Sequence, residues 1–186
     1  MSHALIPHMT ADEFLQWERE QDLKWEFDGF QPVAMTGGSL AHSAVCGNLI
    51  TALNNRLRGM RCRPYGPDAK VQTLAGYRYP DAVMTCSKPR PGADIVAEPV
   101  VLFEVLSKST ARTDHVIKLM EYRALPSVQR YILLEQDQAI ATIYTRTGHD
   151  WVVTQLIDTD TLAMPEIDIE IPMSEFYADL EFPNEP

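Results

Sequence analysis

Apolar positions recur at the helical period from residue 40 to residue 60. Leu40, Ala44, Val45, Leu49, Leu53, Leu57 and Met60 form one stripe behind Gly37-Gly38-Ser39, which predicts the longest helix of the chain. Nearer the start, Thr10-Ala11-Asp12-Glu13 has the form of a capping box, opening a short helix through about Glu20. Between them, Trp25 to Met35 reads as a hairpin turning at Asp28-Gly29, a dipeptide suited to positive φ. After the long helix the period shortens. Brief strands are predicted near Arg63 and over 70–74, then two longer ones over 79–84 and 100–106, with a Lys-, Pro- and Gly-containing loop over 87–92 between them. A helix is predicted over 113–125, stopped by Pro126. Strands follow over 130–135, 139–145 and 151–157, and a short helix over 174–180 closes the fold.

This order, helix, hairpin, long helix, four strands, helix and more strands, predicts an α/β (α+β) domain with a mixed central β-sheet flanked by helices. At 186 residues the chain is expected to form a single domain, 1–186. No run approaches the roughly 20 apolar residues needed to span a bilayer, so no membrane partner is expected. The first residues carry no basic flank followed by an apolar segment, and Cys46, Cys62 and Cys86 form no C-x-x-C pair. Those features predict a cytoplasmic protein with reduced thiols, neither a disulfide framework nor a zinc site. His3, His8, His42, His115 and His149 form no H-x-H or H-E-x-x-H motif, which also argues against zinc hydrolysis.

The net charge of −10 is unevenly spread. From about residue 147 onward there is no Lys or Arg but ten acids, so residues 1–149 hold 16 bases against 16 acids. Between Arg56 and Arg130 the balance is 13 bases to 7 acids. A locally basic region around the candidate site permits DNA as a partner despite the acidic C-terminal segment.

The chemistry is suggested by two carboxylates. Asp81 opens the strand entered through Tyr79-Pro80, and Glu104 sits inside the apolar run Val100-Val101-Leu102-Phe103-Glu104-Val105-Leu106. An isolated carboxylate in a core costs several kcal/mol or takes up a proton, whereas a divalent ion shared with Asp81 explains Glu104. Lys118 and Tyr122 follow one turn apart on a helical face. Two acids and a cation suit metal-dependent phosphodiester cleavage with Mg²⁺, or Mn²⁺, as cofactor. Glu26, between Trp25 and Phe27, is a further acid in an apolar setting that could join them. The bland alternatives are a turn aspartate, a solvated Lys118 paired with Asp114, and a Tyr122 that only packs against the sheet. Ser107, Ser109 and Thr110 read as helix-capping residues.

Trp25-Glu26-Phe27-Asp28-Gly29, Ala41-His42-Ser43, Tyr79-Pro80-Asp81, the run Phe103-Glu104-Val105-Leu106-Ser107-Lys108-Ser109-Thr110, and Asp114, Lys118 and Tyr122 together resemble the Uma-type restriction endonuclease family. That family is a bacterial branch of the PD-(D/E)xK nuclease superfamily, and the resemblance runs from about Met9 to Leu180. It implies a restriction-endonuclease-like fold, an endonuclease acting on DNA, metal-binding roles for Asp81 and Glu104, and a catalytic cation. Two residues after Glu104 the superfamily pattern has a lysine; here it is Leu106. The resemblance makes Lys118 the relocated replacement. The missing lysine and the acidity also fit a non-catalytic nuclease-fold binding or assembly protein, with a homodimer as a compatible assembly.

Overall fold

In the computed structural model of the chain, the described residues are 8–35, 37–107 and 111–182. Thr10 caps α1 (Ala11–Glu18): its hydroxyl accepts from the Glu13 N–H, and its own N–H donates to Glu13 Oε2 at 2.7 Å. β1 (Trp25–Phe27) and β2 (Pro32–Ala34) form the hairpin, with Asp28 Oδ1 accepting from the Phe30 and Gln31 N–H groups and Gly29 at φ +94°. Ser39 caps α2 (Leu40–Leu57), accepting from the His42 N–H. Val45, Leu49, Leu53 and Leu57 of the expected stripe are buried, whereas Leu40, on the first turn, is 91% exposed.

The strands β3 (Arg63–Tyr65), β4 (Val71–Gln72), β5 (Tyr77–Arg78), β6 (Ala82–Thr85) and β7 (Pro99–Val105) follow. A wide π-helical segment, Thr113–Lys118, runs into α3 (Leu119–Arg123), and β8 (Arg130–Leu134), β9 (Ile140–Thr147) and β10 (Asp150–Ile157) complete the main sheet. The hairpin β11 (Thr161–Met164) and β12 (Ile169–Pro172), joined by a 3₁₀ turn at Pro165–Ile167, leads to α4 (Met173–Phe176). The sequence pattern missed β5, β11 and β12, and it began at Tyr79 the strand that the structure begins at Ala82.

Six strands in the order β10-β9-β8-β7-β6-β3 form the mixed sheet; only β7 and β8 run parallel, linked by the π-segment and α3. Their parallel pairing requires such a crossover. β2-β1-β5-β4 form a second sheet. There Gly76 is needed because a Cβ would lie 2.0 Å from the Phe27 carbonyl oxygen. That close approach brings β5 against β1, and with it Tyr79 within reach of Glu26.

Alternation along β7 sorts its side chains. Val101, Phe103 and Val105 face α2, β12 and α4 in one core cluster. Leu102 and Leu106 face Tyr122, Tyr131 and Leu133 in the other. Glu104 belongs by alternation to this second face. A smaller core stacks Phe14 on Phe27, ring centres 5.0 Å apart, and on Tyr77 at 5.9 Å.

The expectation of reduced thiols is corrected: Cys62 and Cys86 form a disulfide. The register pairs Arg63 with Thr85, so the cysteines just beyond them are cross-strand neighbours, 3.9 Å apart at Cα. Spacing along the chain carries no trace of that pairing.

Candidate active site

Asp81 stands at the entrance of β6, and Ala82 pairs with Phe103. Extending this antiparallel register by one residue sets Asp81 across from Glu104. Asp81 Oδ2 accepts the Val105 N–H at 2.7 Å, so the strand backbone fixes its carboxylate. Glu104 is 4% exposed. Its Oε1 accepts from Lys118 Nζ at 2.9 Å and from the Tyr122 hydroxyl at 3.1 Å. The helical spacing seen in the sequence thus delivers both side chains to one carboxylate. Tyr122 also packs edge-on against Tyr131, so its packing and polar roles coexist.

Lys118 is not a solvated surface lysine: it is 5% exposed. Its ammonium lies 3.2 Å from Glu26 Oε1 and 3.1 Å from Asp114 Oδ1, besides its contact with Glu104. Glu26 also accepts from the Tyr79 N–H at 3.1 Å and pairs with Arg78 at 3.2 Å. Arg78 reaches back to Glu121 with two bonds of 2.7 Å. All four residues singled out from the sequence, Glu26, Asp81, Glu104 and Lys118, therefore meet around one cleft of about 920 Å³.

Two participants were missed. Asp114 is 1% exposed, and neither carboxylate oxygen receives a hydrogen bond from a described residue. The Lys118 contact is a charge contact outside hydrogen-bond geometry. In the sequence Asp114 reads as a surface partner of Lys118 and as one of the residues carrying the family resemblance, with no role in the site. Arg78, 2% exposed, immediately precedes Tyr79-Pro80-Asp81, and a base in that apolar strand was the available signal.

Burial raises the Glu104 pKa well above the ordinary carboxylate range; Lys118 pulls it down, while Asp114, Asp81 and Glu26 raise it further. Burial opposes the charge on Lys118, but Glu104, Glu26 and Asp114 override it and hold its pKa high. A hydrogen bond that His42 donates to Asp81 likewise raises the His42 pKa, against the effect of burial. Five carboxyl groups, Glu26, Asp81, Glu104, Asp114 and Glu121, are gathered with two permanent cations, Arg78 and Lys118. That surplus of negative charge, with Asp114 oxygens that receive no hydrogen bond from a described residue, favours a cation in the cleft.

The expectation of a basic site fails. Seven acids line the cleft against Arg78 and Lys118. Several bases of the 56–130 segment are paired elsewhere: Arg56 with Glu175, Arg130 with Glu166. Leu106, in the place of the superfamily lysine, is buried in the second core cluster. Ser107 belongs to the cleft wall; Ser109 and Thr110, with their expected capping roles, lie outside the described residues, as does Lys108.

The chain matches the family described as "Uma2: Putative restriction endonuclease" over residues 11–174. An uncharacterized protein of Synechocystis sp. is 31% identical over 183 residues, covering 96% of each chain. Another from the same organism is 28% identical over 155 residues, covering 80% of this chain and 88% of that one. Among solved structures, a putative nuclease belonging to DUF820 from Anabaena variabilis superposes with a TM-score of 0.75 at 17% identity. The superposition covers 91% of this chain and 98% of that one, and shows that the two share a fold. Among the described residues, no helix is long and apolar enough to cross a membrane.

Proposed function

The chain belongs to the Uma2 family of putative restriction endonucleases, and on that premise we propose that its cleft hydrolyses DNA phosphodiester bonds with Mg²⁺, or Mn²⁺, held by Asp81 and Glu104. The observation that carries this reading is the buried excess of carboxylate around a single ammonium, with Asp114 oxygens that no described donor satisfies. A hard divalent ion at such a site lowers the pKa of a bound water and compensates charge on the phosphoryl oxygens.

The chain's own residues supply orientation. The Val105 N–H holds Asp81, and Tyr122 and Lys118 hold Glu104, so both acids are fixed before any ion arrives. Lys118 remains charged and positions the attacking water or stabilises the developing phosphoryl charge. Glu26 assists by holding the Lys118 ammonium from a second side while Arg78 anchors Glu26 itself. Hydrolysis joins the water oxygen to phosphorus and breaks the bond to the sugar oxygen, which leaves with a proton. Because acids outnumber bases in the cleft, a polyanion is admitted only with cations present. Cleavage should therefore depend absolutely on the divalent ion.

Nicking of supercoiled DNA tests the reading. The wild-type protein should nick in Mg²⁺ and not in chelator, and Asp81→Asn should fold normally but not nick. Undiminished nicking by Asp81→Asn would remove the mechanism. A second reading, a nuclease-fold protein that binds or assembles without catalysis, is favoured by the apolar Leu106 and by the full pairing of Lys118. It predicts no calorimetric Mg²⁺ or Mn²⁺ binding and no cleavage.

A further inference from the structure

The sequence offered no zinc-binding pattern, yet the fold assembles one from two elements. His42 and Cys46 lie four residues apart on α2 and so share one face. Cys46 Sγ is 3.6 Å from His42 Nδ1, and His42 Nε2 is 3.5 Å from Asp81 Oδ2. One ligand atom from each of the three lies within 4.8 Å of the others. A tetrahedral ion with bonds of about 2.0–2.3 Å spaces neighbouring ligand atoms by roughly 3.5 Å. The two His42 contacts run from opposite ring nitrogens, so the ion takes one of them, and rotation of the side chains brings the three ligand atoms from within 4.8 Å to that spacing.

We propose that His42, Cys46 and Asp81 form a site for a borderline-soft divalent ion of the Zn²⁺ class, leaving one position for water from the cleft. A thiolate and an imidazole select such an ion over Mg²⁺, which prefers oxygen ligands and keeps its waters. Three protein ligands with an open fourth position is a recurring zinc arrangement, and His42 and Asp81 both line the cleft. On binding, the Cys46 S–H bond breaks, an S–metal bond forms, and the proton passes to solvent. Neither metal nor sulfur changes oxidation state.

The site shares Asp81 with the proposed Mg²⁺ centre, and only the resulting functional consequence rests on that reading. An ion drawn to the thiolate engages the carboxylate that Mg²⁺ needs, so Zn²⁺ inhibits cleavage. Cys46 sets this selectivity and is not needed to hold Mg²⁺.

Co²⁺ titration of the full chain tests the site, because a cobalt thiolate bond has a near-ultraviolet charge-transfer band that oxygen ligation lacks. Reductant is omitted, which keeps Cys62 and Cys86 joined and out of competition. One equivalent of Co²⁺ should produce the band in wild-type protein and in Glu104→Gln. Cys46→Ser should abolish it, and His42→Ala should weaken Co²⁺ binding by about tenfold or more. No band in wild-type protein, or the same band in Cys46→Ser, overturns the site. Cobalt binding without Mg²⁺-dependent nicking would leave the site standing and remove the nuclease reading; nicking without a cobalt band would do the reverse.

Discussion

Lys118 Nζ lies 2.9 Å from Glu104 Oε1, bridging the strand β7 and the helical segment that follows it. The contact is buried on both sides. It ties the residue that the sequence made least comfortable in a core to the only lysine among the described residues that line the cleft. Removing one partner of a buried pair strands the other, at a cost of about 3–5 kcal/mol. Lys118→Met should therefore lower the urea midpoint of the metal-free protein substantially, and Mg²⁺ should restore part of the loss. Unchanged stability would mean that Lys118 does not hold these carboxylates together.

Glu104 gives the protein a characteristic pH dependence. Its folded-state pKa is raised, first by burial, from an ordinary value of 4.5. Its contribution to stability is fully present below that value and is lost as pH rises through the folded pKa. Without metal, wild-type protein should lose stability relative to Glu104→Gln as pH rises above 4.5 and through the raised folded-state pKa. Urea midpoints across that range, with and without Mg²⁺, measure the difference. Mg²⁺ should flatten it; a pH-independent difference would contradict the assignment.

Tyr122 donates to the same oxygen as Lys118. Tyr122→Phe keeps the ring against Tyr131 and removes one donor, at roughly 1–2 kcal/mol. Mg²⁺-dependent nicking should fall about tenfold, and the melting temperature by no more than several degrees. A variant as active as wild type would reduce Tyr122 to packing.

The Cys62–Cys86 bridge closes a loop across a sequence separation of 24. In the chain-entropy account such a loop contributes about 3 kcal/mol. Reductant should lower the melting temperature of wild-type protein and leave a Cys62→Ser, Cys86→Ser double variant unaffected. Equal melting curves with and without reductant would contradict the bridge.

The main α and β elements were legible because each follows a local pattern: the capping box at Thr10, the stripe of α2, and the apolar run of β7. Glu104 was legible for the opposite reason, as a charge interrupting such a run. Asp114 was not, because an acid four residues before a lysine on a helix reads as a surface pair unless burial is known. The disulfide and the His42–Cys46–Asp81 cluster depend on register between distant segments, which periodicity cannot encode. Local charge counting also misled. The bases of the 56–130 segment include Arg56 and Arg130, which turn to Glu175 and Glu166 in the acidic C-terminal segment instead of to the cleft.

A crystal soaked in Mn²⁺ and measured by anomalous scattering tests the central claim most directly. The account predicts one strong peak in direct bonding contact with carboxylate oxygens of both Asp81 and Glu104, near the Lys118 ammonium. A peak that touches neither acid, or no peak at saturating Mn²⁺, would contradict it.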